Sequence, residues 1–162
     1  MFPSKPLRPQ LVNEPAWTMG NDPAHAIIPL MTDAGKLLLR LTIGVLMLFH
    51  GLDKLRNGVG FIAGVLQAHH LPAWIAYGVH VGEFVAPILL IIGFLTRPAA
   101  LIVAFDMVMA WYLVLGAHVF TLAKQTGALN GEVLFLYLFG SISIALLGSG
   151  RFAVSRGKDR WD

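Results

Sequence analysis

The chain has 162 residues and no cysteine, with 56% hydrophobic and 13% charged residues, a net charge of +3 at pH 7 and a mean hydropathy of +0.69. Soluble domains average about 25% charged residues, so the composition indicates an integral membrane protein, of a length that suits one bundle without a separate catalytic domain. The lack of cysteine excludes disulfides, thiolate metal sites, iron–sulfur clusters and Cys-based redox relays within this chain, and no basic cluster with interleaved aromatic residues indicates nucleic acid as a partner.

The two ends of the chain are polar. Residues 1–34 contain six prolines and no apolar core of a signal peptide, so we expect an extramembrane arm that is too broken for a helix. Residues 151–162 form a basic tail. Residues 35–150 between them are predicted to form the membrane domain.

Four apolar stretches in this domain have about the length that a bilayer-crossing helix needs. They cover residues 37–55, 71–95, 98–120 and 132–148. The segment 57–70 is too short to cross and is predicted to be an interfacial or re-entrant helix. The predicted fold class is therefore all-α, an integral membrane four-helix bundle.

The basic residues are distributed unequally between the two sides of such a bundle. The side that holds both termini and the turn at Arg97 carries most of the Lys and Arg residues, and the opposite side has only Lys54, Arg56 and Lys124. The positive-inside rule therefore predicts a multi-pass protein of the inner (plasma) membrane with both termini in the cytoplasm.

Ionisable residues inside the apolar stretches are the main indication of a functional site, because charge inside a bilayer is costly and usually faces the bundle interior. A rise of about 1.5 Å per residue puts Arg40 about 6 Å and Asp106 about 12 Å from the cytoplasmic ends of their helices. We predict that these two form a structural ion pair. A second group of residues, which we call the outer layer, lies about 18–25 Å deep by the same count and is predicted to form a polar pocket. The outer layer contains His50, Lys54, His80, Glu83 and Glu132.

Helical spacing supports the inward orientation of the first span. Arg40, Gly44, Met47, Gly51 and Lys54 recur every three or four residues and so form one stripe, which we expect to face the other helices.

The outer layer suits a quinone headgroup, which has two carbonyl acceptors and needs His, Arg or Lys donors as well as a group that exchanges protons. A metal site is the weaker alternative, because His and carboxylate suit Zn, Fe or Mn but the paired Glu-x-x-His signature of di-iron bundles is absent. A third interpretation is a closed network of paired charges that sets helix register and nothing more.

Four ordered elements of the sequence resemble the DoxX family of small membrane proteins, over about residues 35–152. They are Arg40-Leu-Thr-Ile-Gly44 followed by His50-Gly-Leu-Asp-Lys-Leu55, then Glu83, then Gly93-Phe-Leu-Thr-Arg-Pro-Ala-Ala-Leu101, and finally Gly148-Ser-Gly-Arg-Phe152. The resemblance implies a four-helix membrane bundle related to the small subunit of thiosulfate:quinone oxidoreductase. It also implies family positions at Arg40, Gly51, Lys54, Glu83, Thr96, Arg97 and Glu132.

Together these observations predict a membrane subunit of a redox system that interacts with quinone and depends on a redox protein partner or on a homo-oligomer. The main alternative is a noncatalytic membrane scaffold or assembly factor, whose charges serve only helix pairing. A small-molecule transporter is a weaker alternative, because the sequence shows no inverted internal repeat.

Overall fold

The computed structural model describes residues 23–156 and residue 161, and the chain divides into two units, residues 1–31 and 32–162. The α-helices are α1 (Pro23–Asn57), α2 (Gly60–Ala68), α3 (Ala86–Ile92), α4 (Thr96–Ala110) and α5 (Glu132–Leu147). Tighter 3-10 turns occupy Ala73–Gly78 and Gly116–Phe120, and wider π-helical turns occupy Val81–Val85 and Trp111–Leu115.

Three helical segments of the described residues are long and apolar enough to cross a membrane. They are Ile27–Asn57, Ala73–Ile92 and Thr96–Phe120, while α5 is apolar but has 16 residues. Many of their large apolar side chains are exposed, as expected for surfaces that face lipid. The predicted all-α membrane fold is confirmed.

The first helix begins earlier than the sequence predicted. The structure places Pro23–Asn57 in one helix with Pro29 inside it, so the expectation of a helix-free arm is wrong for residues 23–34. A proline near the start of a helix removes one backbone hydrogen bond, which the apolar helix formers that follow compensate. The rest of the predicted arm, residues 1–22, lies outside the described residues.

The core of unit 32–162 lies among α1, α3, α4 and α5. Small residues on α4, namely Ala99, Ala100 and Ala104, are buried and allow close helix packing. The larger core side chains come from all four helices: Ile43, Met47, Leu90, Val103, Leu134, Leu138 and Ile144.

The glycines of α1 bring it against the segment 73–92. A Cβ added at Gly44 would lie 3.1 Å from the carbonyl oxygen of Pro87 and 2.9 Å from a side-chain carbon of Ile91, and one at Gly51 would collide with the backbone of Glu83. Arg40, Gly44, Met47 and Gly51 are buried and Lys54 is half-buried. The predicted inward stripe of α1 is thus confirmed.

The chain between the first two spans forms α2, whose nine residues are too short to cross a bilayer. It packs against the 3-10 turn Ala73–Gly78 through a small apolar cluster of Val59, Leu66, Ala76 and Val79. Its placement at the membrane interface stays a prediction.

Candidate functional site: a charged apolar cavity

Lys54 and Glu83 form an ion pair at the contact between α1 and the segment 73–92. The Lys54 Nζ atom donates a hydrogen bond to Glu83 Oε2 at 2.7 Å. The Glu83 side chain is 10% exposed and that of Lys54 is 22% exposed. A carboxylate at this depth needs such a charged donor, because burying it alone is costly.

Two local features of the backbone position this pair. Gly51 lets the backbone of α1 touch the carbonyl group of Glu83, and Lys54 follows about one turn later on the same face. Pro87 has no N–H to give to the carbonyl oxygen four residues earlier, which is that of Glu83. The helix is widened at Val81–Val85, where the N–H of Ala86 bonds to Val81. Wide turns of this kind are frequent at functional sites.

Asp106 of α4 lies beside the ion pair. A Cβ added at Gly82 would be 2.8 Å from the Asp106 side chain, so the absence of a side chain at Gly82 makes room for this carboxyl group. Asp106 lies in the electrostatic field of both Glu83 and Lys54. It makes no hydrogen bond or ion pair with any residue in the part of the chain that the structure describes.

These three side chains line one cavity of about 540 Å³. The rest of its wall is apolar or glycine and comes from α2, the 3-10 turn Ala73–Gly78, Val79, Gly82, α4 and the second π-helical turn. Phe61, Phe105 and Val114 belong to this wall and are 72%, 64% and 49% exposed. The cavity therefore opens on the side where these exposed apolar side chains lie. Its charged groups lie on the other side, near the buried Glu83.

The other predicted members of the outer layer do not line this cavity. His50 is exposed; its Nδ1 lies 3.1 Å from the carbonyl oxygen of Leu46, and its ring is edge-on to Tyr137 at 5.7 Å. His80 is half-buried beside Tyr77. Glu132 is exposed in the first turn of α5, where a carboxylate favours the helix dipole.

Arg40 and Asp106 do not form the predicted ion pair. Arg40 is fully buried and donates from Nη2 to the carbonyl oxygen of Phe152 at 2.8 Å, about 21 Å along α1 from Lys54. Among the described residues no ion pair joins it to Asp106. The physical reason is that the carboxyl-terminal segment returns to the end of the helices at which Arg40 lies and supplies a backbone acceptor there. Asp106 instead packs against Gly82, next to Glu83.

The buried Arg40 organises the turn between the second and third spans. Gly93 has a left-handed backbone (φ 71°), and a Cβ there would collide with Arg40. The N–H of Val154 donates to the carbonyl oxygen of Ile92 at 3.1 Å, and Ser155 Oγ donates to that of Gly93 at 2.9 Å. The second span consequently ends at Ile92 rather than at residue 95, and α4 begins at Thr96 rather than at residue 98.

Chemically, the cavity offers one ammonium group and two carboxyl groups within an apolar wall. Such a site can bind an uncharged, ring-sized molecule that carries hydrogen-bond acceptors, and it can hold a proton. Within residues 23–156 and 161, no three His, Asp or Glu side chains lie close enough together to hold a metal ion. Asp106 is the cavity residue whose surroundings the sequence did not reveal; the only signal was its charge inside an apolar helix.

The comparisons with known proteins agree with the resemblance that the motifs carry. The profile of the DoxX family matches residues 35–116. A protein of Bacillus subtilis (strain 168) named "Putative oxidoreductase CatD" is 30% identical over 117 residues, which cover 72% of this chain and 81% of that protein. No solved structure matches the chain significantly. With half of its length matched by the family profile and a relative at this identity, the chain is a multi-pass membrane protein that belongs to the DoxX family.

Proposed function

We propose that this protein is a membrane subunit of a quinone-linked redox system and that its cavity binds the quinone headgroup. The observation that carries the proposal is the convergence of Lys54, Glu83 and Asp106 in the wall of one apolar cavity. The name of the Bacillus subtilis relative, an oxidoreductase, supports a redox role.

The size and polarity of the cavity favour this class of ligand. Its volume of about 540 Å³ lies within the range of about 300–1,000 Å³ that is usual for small-molecule sites. The Lys54 ammonium can donate to a ring carbonyl, while the exposed Phe61 and Phe105 allow an apolar tail to reach the lipid. With two carboxyl groups and one ammonium group, the cavity disfavours the phosphate or carboxylate head of an anionic lipid.

The electrons come from a partner in this proposal. The chain contains no cysteine, so thiol or persulfide chemistry takes place on another protein. The membrane subunit supplies the binding site and the groups that hold protons, and a redox protein that docks on it supplies the reducing equivalents.

We also propose a membrane orientation for the chain. Arg40, Gly93 and Phe152 lie at one end of the helices, which supports an even number of crossings with α5 as the fourth. The basic residues concentrate at that end, so both termini are cytoplasmic and the membrane is the inner (plasma) membrane.

Quinone content of the purified protein tests the proposal. The protein is purified in mild detergent, its lipids are extracted, and quinone is quantified by chromatography and mass spectrometry. Wild type is expected to retain quinone, whereas Glu83→Gln and Lys54→Met lose most of it because the donor or its counterion is missing.

His50→Ala and Asp53→Asn are the controls, because both side chains are exposed on α1 outside the cavity wall. Both are expected to keep the wild-type quinone content. A folded wild-type protein that contains no quinone and binds none when quinone is added contradicts the proposal.

One observation favours a second function, that of a noncatalytic scaffold. Lys54 and Glu83 bond directly to each other at 2.7 Å, as a charge pair that only sets helix register would. Stable co-purification of a soluble or haem-bearing protein, with no small molecule in the cavity, would favour the scaffold.

A further inference from the structure

We propose that Asp106 contacts the occupant of the cavity directly, as a neutral carboxylic acid that donates a hydrogen bond to a carbonyl oxygen of the ligand. The inference rests on the proposed function and adds to it the residue that recognises the headgroup. From the sequence, Asp106 was expected to pair with Arg40 and to be structural.

The position of Asp106 supports this role. Its side chain belongs to the cavity wall and fits into the space that Gly82 leaves on the neighbouring span. It makes no hydrogen bond or ion pair with a described residue, whereas the adjacent Glu83 is already bound to Lys54. Asp106 is therefore the carboxyl group of the cavity that is available to a ligand.

The charges around Asp106 indicate its protonation state in the resting site. The charged groups that act on it are Glu83 on the second span and Lys54 on α1, and Tyr137 of α5 lies in the field of Glu83. One ammonium group balances one carboxylate, and it is bound to Glu83. Asp106 is half-buried, and a second carboxylate without a donor is costly in an apolar wall, so a proton on Asp106 is the favourable arrangement.

The shape of the cavity orients the ligand toward this acid. Phe61, Phe105 and Val114 are exposed at the opening, and Glu83 next to Asp106 is buried. A tailed quinone that enters from the lipid thus places its ring at the charged end and leaves its tail among apolar side chains. The Asp106 hydroxyl and a ring carbonyl are complementary as donor and acceptor.

Direct binding tests the inference in nanodiscs of neutral phosphatidylcholine, with a benzoquinone that carries a ten-carbon alkyl tail as the probe. Asp106→Leu removes the donor and is expected to weaken Kd about tenfold. Asp106→Asn keeps an N–H donor and is expected to stay within about threefold of wild type. Asp53→Asn, a carboxylate exposed on α1 that accepts a hydrogen bond from Asn57, is the matched control and leaves Kd unchanged.

The pH profile separates a donor role from a merely structural one. Wild-type affinity is expected to fall once the pH is high enough to ionise Asp106, because a carboxylate has no proton to donate. Asp106→Asn is expected to show a flatter profile, because its amide does not titrate. The pH profile of Asp106→Asn decides between the two roles even if Asp106→Leu fails to fold.

Two results would overturn the assignment. If wild type binds the probe and Asp106→Leu binds it equally well, or if Asp106→Asn has the same pH profile as wild type, Asp106 is not the donor. A wild-type protein that binds no probe overturns the proposed function itself, and with it this assignment.

Discussion

Gly51 of α1 lies directly against the main-chain carbonyl group of Glu83, with no room for a side chain between them. This contact brings two helices together at the residue whose carboxylate Lys54 binds at 2.7 Å. The close approach of the backbones and the ion pair are thus parts of one contact, and the cavity wall is formed beside it.

Gly51→Ala is expected to destabilise the protein by about 1–3 kcal/mol, because the added methyl group forces α1 away from Glu83. Gly35→Ala, also on α1, is the matched control, since an added Cβ there meets nothing within 4 Å. It should be neutral or stabilise by up to about 1 kcal/mol, because alanine favours the helix. Unfolding in mixed micelles of dodecyl sulfate measures both, and equal stability of the two variants would contradict the predicted contact.

The Lys54–Glu83 pair is expected to be energetically coupled. Lys54→Met leaves the buried Glu83 carboxylate without its donor and should lower the free energy of unfolding by about 2 kcal/mol. Glu83→Gln leaves the ammonium group without its counterion, with a similar effect. The double variant should lose less than the sum of the two. A double-mutant cycle by the same unfolding assay measures the coupling, and additive losses would show that the pair is not coupled.

Gly93→Ala tests the buried Arg40 at the other end of the bundle. The variant combines a left-handed backbone (φ 71°) with a collision between the new Cβ and both Arg40 and Ala153. Gly58→Ala is the control, because Gly58 has φ 80° and open space around it, so it isolates the cost of the backbone conformation alone. That cost is about 1–2 kcal/mol.

Gly93→Ala should exceed this control by roughly a further 2 kcal/mol, because Arg40 and the backbone at Ala153 must both move away from the new Cβ. Thermal unfolding of the two variants in the same detergent measures the difference. Equal melting temperatures would mean that Arg40 and Ala153 move aside at little cost.

Filling the cavity is expected to abolish ligand binding without unfolding the protein. Ala110 of α4 lies in the cavity wall and is half-buried, so Ala110→Phe places a ring in the space that the headgroup needs. Ala117→Phe is the control, at an exposed position outside the wall. Quinone content after purification should fall at least about tenfold in the first variant and stay at the wild-type value in the second. Retained quinone in a folded Ala110→Phe protein would place the ligand elsewhere.

The sequence by itself determined the membrane character and the inward face of the first helix. Runs of about twenty apolar residues have few soluble alternatives, and the spacing of Arg40, Gly44, Gly51 and Lys54 is a local property of one helix. The same local reasoning placed Lys54 and Glu83 in one polar layer, which the structure joins by a hydrogen bond.

The tertiary structure alone decided the partners of Arg40 and Asp106. Counting depth from the helix ends grouped Asp106 with Arg40, and only the close approach of Gly82 assigns Asp106 to the cavity. The acceptor of Arg40 is the backbone carbonyl oxygen of Phe152, and no pattern of side chains in the sequence predicts such a partner.

The wide turn at Val81–Val85 is a further reason why regular helical spacing does not predict which side chains of different helices meet. One extra residue in a turn rotates every later side chain by about 100° relative to a regular helix, so faces extrapolated across Glu83 are misassigned. Local periodicity therefore predicts which side chains face away from the lipid, whereas the packing of helices with irregular turns decides which of these side chains contact one another.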